Sequence, residues 1–84
     1  MPSTDDFLET LEEIFSIART LRLSGIIIRA GYLHSLVGEY PSTNHRMPMC
    51  CQAMRHLMKG GDEVIYEPPS GQGASLEILY KFTY

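Results

Sequence analysis

The stretch PMCCQAMRHLMKGGDEVIYEPPSGQGASLEILYKF, residues 48–82, decides the fold because its hydrophobic period changes partway along. Its first part predicts a helix from about Pro48, which suits the first helical position, to about Lys59, just before two glycines. Its second part predicts strands over residues 63–67 and 74–82, the latter because apolar and polar residues alternate. The proline- and glycine-rich residues 68–73 predict the connecting loop of a β-hairpin.

Upstream of this stretch, the sequence predicts a long helix and a short strand. Ser3 or Thr4 can cap a first helix, whose apolar residues recur at steps of three and four and which Gly25 is expected to end. Residues 26–28 are three consecutive isoleucines, and they predict a small buried strand.

A second helix fits residues 30–37, with Gly38 ending it and a turn predicted over residues 41–44. Its expected apolar face is Tyr32, Leu33, Leu36 and Val37. In the third helix, Cys50, Ala53, Met54, Leu57 and Met58 share one face, and Gln52, Arg55 and Lys59 share the opposite face, flanked by Cys51 and His56. Because each helix has a single apolar stripe, we expect one shared core made of Leu11, Ile14, Phe15, Ala18, Leu33, Leu36, Met54, Leu57, Ile78 and Tyr80.

The predicted order is helix, short strand, helix, turn, helix and hairpin. Over residues 7–82 this order resembles the winged-helix superfamily, and within it small uncharacterised prokaryotic domains. The resemblance implies an α+β fold, a winged helix-turn-helix, in which the short strand joins the C-terminal hairpin as a third strand. Residues 42–59 would then be the recognition helix with its approach turn, and residues 68–73 the tip of the wing.

Length and composition limit the functional classes. With 84 residues, 44% hydrophobic and 20% charged, the chain predicts one globular domain spanning residues 1–84. No apolar run approaches the ~20 residues of a membrane span, and the N-terminus lacks the apolar segment of a signal peptide. We therefore expect a cytoplasmic protein without membrane contact, and the sequence suggests neither a cofactor nor a small-molecule substrate.

Charge is unevenly distributed along the chain. The net charge of −3 counts against DNA binding, because free-standing DNA-binding domains are usually basic. Residues 5–13 contain five acids and no base, whereas residues 42–59 contain three bases, two histidines and no acid. The pattern is compatible with a mildly basic binding face and equally with two ordinary solvated faces.

The winged-helix resemblance makes DNA the leading partner and implies a regulatory role. A recognition helix enters the major groove, where Arg contacts guanine and Asn or Gln contacts adenine. Basic side chains such as those of Arg and Lys can instead contact the phosphates. The residues that the resemblance points to are Asn44, His45, Arg46, Gln52, Arg55 and Lys59 around the third helix, and Ser70 and Gln72 in the wing. The wing contains no Arg or Lys, which weakens a minor-groove role.

The alternative is a winged-helix domain for protein–protein interaction or homodimerisation that does not bind nucleic acid. Tyr66, Tyr80 and Tyr84 on the hairpin would then be candidate contact residues, because aromatic residues are enriched at interfaces, although Tyr66 and Tyr80 are expected chiefly to pack the sheet on the helices. The surface around the third helix separates the two hypotheses. A continuous positive patch there favours DNA, and a neutral or apolar patch favours a protein partner.

The two cysteines, Cys50 and Cys51, suggest chemistry only weakly. Neighbouring cysteines rarely form a disulfide, so free thiols are expected. His34, His45 and His56 are possible co-ligands, but the pattern lacks the usual spacing of zinc ligands. Cys51 and His56 diverge by roughly 140° on a helix, which is unfavourable for an activated thiol. We therefore predict no metal site, no catalytic site and no enzymatic activity.

Overall fold

The computed structural model describes residues 2–38 and 46–84 as three helices and a three-stranded antiparallel sheet. The helices are α1 (Thr4–Thr20), α2 (Ala30–Val37) and α3 (Met47–His56), and the strands are β1 (Gly25–Arg29), β2 (Glu63–Tyr66) and β3 (Glu77–Lys81). The predicted α+β class is confirmed. The turn predicted over residues 41–44 and the candidate residues Asn44 and His45 lie outside the described residues.

Helix α1 begins with a capping box. The Ser3 hydroxyl accepts the Asp6 N–H at 3.3 Å, and the Asp6 carboxylate accepts the Ser3 N–H at 2.8 Å. The predicted apolar stripe is confirmed over most of its length, because α1 buries Phe7, Leu11, Phe15 and Ala18. Leu21, expected as the last residue of the stripe, is a correction because it is exposed at the C-cap, beyond the end of the helix.

The prediction that Gly25 ends the first helix is wrong. The helix ends at Thr20, and Arg22 then adopts a left-handed φ of 59°, the conformation that commonly terminates helices. Gly25 instead begins β1, where a Cβ atom would lie only 3.0 Å from the Tyr80 carbonyl oxygen. The glycine therefore serves the close approach of β1 to β3.

The sheet has the strand order β1-β3-β2, so the last strand lies in the centre. The alternation predicted for residues 74–82 is confirmed by burial of Leu76, Ile78, Tyr80 and Phe82, although the paired strand β3 is shorter than expected. Strand β2 ends at Tyr66, with a register shift between Val64 and Tyr66. Strand β1 is only half buried: Ile28 is in the core, but Ile27 is exposed, which corrects the expectation of a buried strand.

The core lies between the sheet and the three helices. Tyr80 connects the two layers, because its hydroxyl donates to the Met54 carbonyl oxygen of α3 at 2.8 Å. Of the predicted core, Ile14 and Leu57 are partly buried against it, and Leu36 is a correction because it is exposed. The remaining predicted core residues are buried, namely Leu11, Phe15, Ala18, Leu33, Met54, Ile78 and Tyr80.

The buried face of α2 also differs from the prediction. The helix has the predicted bounds, but it buries Ala30, Gly31, Leu33 and His34 and exposes Tyr32 and Leu36. The helix is rotated in this way because Gly31 packs against Ala74, with a Cβ position only 3.2 Å from the Ala74 side chain. The pattern of apolar residues along α2 could not reveal this contact.

Helix α3 is shorter than predicted and more deeply enclosed. It ends at His56 rather than near Lys59, because the Met58 N–H bonds to the Arg55 carbonyl oxygen and tightens the last turn. Cys51, predicted to flank the exposed face, is fully buried, and Gly73 of the 68–73 loop lies against its sulfur atom.

Candidate nucleic-acid interface

The start of α3 is fixed by a buried histidine of α2. The Arg46 N–H, at the N-cap of α3, donates to His34 Nε2 at 2.8 Å. The His34 ring is fully buried and lies edge-on to Phe7, with ring centroids 4.9 Å apart. Helices α1, α2 and α3 are thereby connected at the end of α3 that a recognition helix would direct at DNA.

The outward face of α3 presents Gln52 and His56, which are both exposed. Arg55 is partly buried and is engaged within the protein. Its Nη2 atom donates to the Gly71 carbonyl oxygen at 2.8 Å and to Glu67 Oε1 at 3.1 Å. This guanidinium therefore connects α3 with the 68–73 loop, and it brings two parts of the predicted site together.

The 68–73 loop has hydrogen bonds of its own. The Gly71 N–H donates to the Pro68 carbonyl oxygen at 2.8 Å, with Gly71 at a φ of 80°. The Ser70 hydroxyl donates to the Gln72 carbonyl oxygen at 2.6 Å. The predicted contact residues Ser70 and Gln72 are both exposed, so their outward atoms remain accessible.

Lys59 lies beyond the end of α3, which corrects its placement on the helix face. Its Nζ atom is 3.3 Å from the Asp62 carboxylate and 5.2 Å from the centre of the Phe82 ring. Like Arg55, it has an acidic neighbour from the segment after the helix. Residues 42–59 contain no acid in the sequence, but in the structure an acid from later in the chain lies beside both Arg55 and Lys59. These two residues therefore do not form an unopposed positive surface.

The two cysteines are buried thiols in the structure. Cys50 Sγ lies 3.5 Å from the Ala30 carbonyl oxygen, and Cys51 Sγ lies 3.5 Å from the Gly73 carbonyl oxygen. Burial raises the pKa of Cys50 to about 12 and also raises the pKa of Cys51, so both thiols stay protonated at neutral pH. They contribute packing and weak donors rather than reactive thiolates.

Within residues 2–38 and 46–84, no group of three His, Cys, Asp or Glu residues could hold a metal ion. His45, one of the co-ligands considered from the sequence, lies outside those ranges. The helices of the described ranges also include none long and apolar enough to cross a membrane.

Sequence reasoning missed three residues that shape this site. Asp62 lies three residues after Lys59, but both residues follow the end of α3, so the spacing rule for ion pairs on a helix did not point to this pair. Glu67 and His34 are each twelve residues from their partners, Arg55 and Arg46, so no local pattern pointed to them.

Comparisons with protein-family models, curated proteins and solved structures found no match for this chain. The assignment of this interface therefore rests on the geometry of the chain's own residues.

Proposed function

We propose that this chain is a winged-helix DNA-binding protein with a regulatory role, in which α3 reads the major groove and the 68–73 loop is the wing. The element order and the strand order β1-β3-β2 support this assignment. The observation that carries the proposal is the contact of Arg55 with Gly71, because it joins α3 and the loop into one surface. A helix and a wing that are fixed together can contact a duplex simultaneously.

The roles of the candidate residues follow from their surroundings. Gln52 is exposed on α3 and is suited to read adenine through its amide. Arg55 is a positioning residue, because its guanidinium is already bonded to the loop. The exposed side-chain amide of Gln72 is suited to a phosphate contact. The Ser70 hydroxyl donates to the Gln72 carbonyl oxygen, so it would have to exchange that bond to donate to a phosphate. Arg46 is the N-cap residue of α3, and the roles of Asn44 and His45, which lie outside the described residues, stay predictions.

Affinity should be modest, because the surface has few bases and acids accompany them. Arg55 is paired with Glu67 and Lys59 with Asp62. Because Arg55 is bonded to the loop, about two basic residues remain for phosphate contacts, and we expect log K to fall with log salt at a slope of about −2.

The second candidate is a protein-interaction domain, and one observation specifically favours it. The pairing of Arg55 and Lys59 with acids makes this face more nearly neutral than the sequence suggested. A neutral face suits a protein partner better than a phosphate backbone.

The test is a titration of fluorescent duplexes at low salt, repeated with Glu67→Gln. Removing this carboxylate takes a negative charge from the surface and frees Arg55, so we expect DNA affinity to rise about 3- to 10-fold. Glu13→Gln is the matched control, because it removes the same charge from α1 and should leave affinity nearly unchanged. If no duplex binds at tens of micromolar protein, DNA binding is wrong and the protein-interaction hypothesis takes first place.

A further inference from the structure

Strand β1 is an edge strand with an open side. Two backbone bonds fix its pairing phase with β3: the Phe82 N–H donates to the Ser24 carbonyl oxygen at 2.9 Å, and the Ala30 N–H donates to the Leu76 carbonyl oxygen at 2.9 Å. Hydrogen-bonded and non-hydrogen-bonded pairs alternate in an antiparallel ladder. The backbone groups of Ile26 and Ile28 therefore bond to β3, and those at positions 25, 27 and 29 point away from the sheet. Such an edge can pair with another strand.

The exposed apolar residues of α1 lie on its side turned away from β3. Phe15 and Arg19 face the end of β3, because both contact the Phe82 ring. Ile17 and Leu21 lie roughly 120–160° around the helix from these two residues. They are 61% and 64% exposed, which is high for large apolar side chains on a helix that packs against the core.

Helix α2 shows the same arrangement. Its Gly31 faces Ala74, just before β3. Tyr32 and Leu36 lie roughly 100–140° around the helix from Gly31, and they are 59% and 49% exposed. Ile27, on the open edge itself, is 58% exposed. We call these five residues the β1-side surface: Ile17, Leu21, Ile27, Tyr32 and Leu36.

We propose that the β1-side surface is a homodimer interface, in which β1 pairs antiparallel with β1 of a second copy about a two-fold axis at Ile27. This register sets Ile27 opposite its own counterpart and Gly25 opposite Arg29 of the second copy. In this register the outward-pointing N–H and C=O groups of one β1 can bond to those of the other. Both copies contribute the same residues, as in an isologous interface. The proposal goes beyond DNA binding and does not depend on it.

The side chains fit a second copy in this register. Ile27 lies opposite Leu79 within the sheet, so the two copies together form a four-residue apolar belt on the outer face. Beside it is a depression of about 540 Å³, where Gly25 has no side chain and Arg29 of the second copy can lie. The lining residues of this depression are Ser24, Gly25, Ile26, Ile27, Leu79 and Lys81.

Charges do not oppose this pairing. Arg29 has Glu77 opposite it in its own sheet, and Lys81 is paired with Glu63 at 3.0 Å. Arg29 of the second copy would share the depression with Lys81, whose charge Glu63 offsets. No like charges stand directly opposite each other across the new strand pair, where they would be destabilising.

The area available is what a second copy needs. Strand pairing alone would give about four hydrogen bonds, because the Arg29 carbonyl also serves the start of α2. The five side chains add on the order of 500 Å² per copy. With the strand backbone, this approaches the ~800 Å² per partner of a standard interface. Antiparallel pairing would also place the start of β1 in one copy beside the end of β1 in the other. The end of α1 in one copy would therefore lie near the start of α2 in the other.

The first experiment measures oligomeric state by sedimentation velocity from about 1 µM to 1 mM protein. We expect a concentration-dependent dimer, and Ile27→Lys should weaken it at least about 30-fold by setting two ammonium groups opposite each other. Ile65→Lys is the matched control, because Ile65 is 48% exposed on the other edge strand, β2. It should leave the dimer intact, and circular dichroism should show that both variants fold.

The second experiment tests the register directly with Ile27→Cys. Hydrogen-bonded antiparallel partners have Cα atoms about 5.5 Å apart, so the two introduced thiols would be within reach of a short bismaleimide cross-linker. The cross-linker should therefore join two copies of this variant, whereas Ile65→Cys should remain largely unlinked. A wild-type chain that stays monomeric at 1 mM overturns the proposal. So does a dimer that tolerates Ile27→Lys or that Ile65→Lys disrupts. The duplex titration gives an independent result, so failure of DNA binding would not be confused with failure of dimerisation.

Discussion

At the scale of the residue, Asp62 accepts several hydrogen bonds at the point where the chain passes from α3 to the sheet. Its carboxylate accepts the Lys59 N–H at 3.0 Å and the Lys81 N–H at 2.8 Å, and it lies 3.3 Å from Lys59 Nζ. Burial opposes ionisation, but these bonds and the Lys59 charge outweigh it and hold the pKa of Asp62 below its ordinary value of 3.8. The ionised carboxylate therefore stabilises the fold.

The pH dependence of stability follows from the sign of this shift. Because the pKa is lower in the folded state, the stabilisation is present above pH 3.8 and is lost as pH falls through the folded pKa. We expect Asp62→Asn to be clearly less stable than wild type in urea unfolding at about pH 6, and the difference to shrink at about pH 2.5. An equal difference at the two pH values would contradict this role.

A second residue-scale prediction concerns His34, whose Nε2 accepts the Arg46 N–H. His34→Leu leaves this N–H without its acceptor, which should cost about 1–3 kcal/mol in the free energy of unfolding. His34→Gln is the matched variant, because its amide oxygen can replace Nε2 as acceptor. Thermal and urea unfolding should rank wild type above the Gln variant and the Gln variant above the Leu variant. Equal losses in both variants would show that the acceptor is unimportant.

At the scale of the element, the turn after α3 determines how the helix connects to the hairpin. Gly61 has a φ of 95°, whereas its neighbour Gly60 has no left-handed conformation, and a Cβ atom at either position meets open space. We expect Gly61→Ala to destabilise the protein by about 1–2 kcal/mol through backbone strain. Gly60→Ala should change stability by less than about 0.5 kcal/mol. If urea unfolding gives the two variants the same stability, backbone conformation is not what this turn requires.

Polar and sulfur contacts join helix α3 to the 68–73 loop. Arg55 bonds to Gly71, and Cys51 lies against the Gly73 carbonyl. The proposed DNA surface depends on this connection. Residues 52, 70 and 72 can contact one duplex only if the loop keeps its place beside the helix.

At the scale of the whole molecule, the central position of β3 should produce a gradient of local stability. Strand β3 is paired on both sides, and β1 is paired on one side. We expect amide exchange in dilute protein to be fast at Ile27, whose N–H points away from the sheet, and slow at Ile26 and Ile28, whose N–H groups bond to β3. NMR-detected hydrogen exchange measures these amides separately. Equal protection at all three would show that the pairing phase is wrong.

Charge also has a molecular-scale arrangement. The acids of α1 stay on an exposed face, while Asp62 and Glu67 approach the bases that follow from the third-helix region. The surface around Arg55 and Lys59 is therefore nearly neutral, in a chain that carries a net charge of −3.

The sequence by itself determined the features that depend on neighbours within a few residues. The apolar stripe of α1, the bounds of α2 and the alternation at Leu76, Ile78 and Tyr80 are all read from local periodicity. These patterns are reliable because a helix or strand buries one side only, and its period fixes which residues lie there. Three helices and an antiparallel hairpin could therefore be predicted.

Only the tertiary structure decided which side of α2 is covered, how far α3 is enclosed and which charges meet. Cys51 is buried because the loop packs on it, and Leu36 is exposed because Gly31 packs against Ala74. Arg55 turned from a candidate phosphate ligand into a link to the loop because Glu67 and Gly71 come from twelve and sixteen residues away. Such contacts leave no periodic signal in the sequence, since they depend on how separate elements are brought together in space.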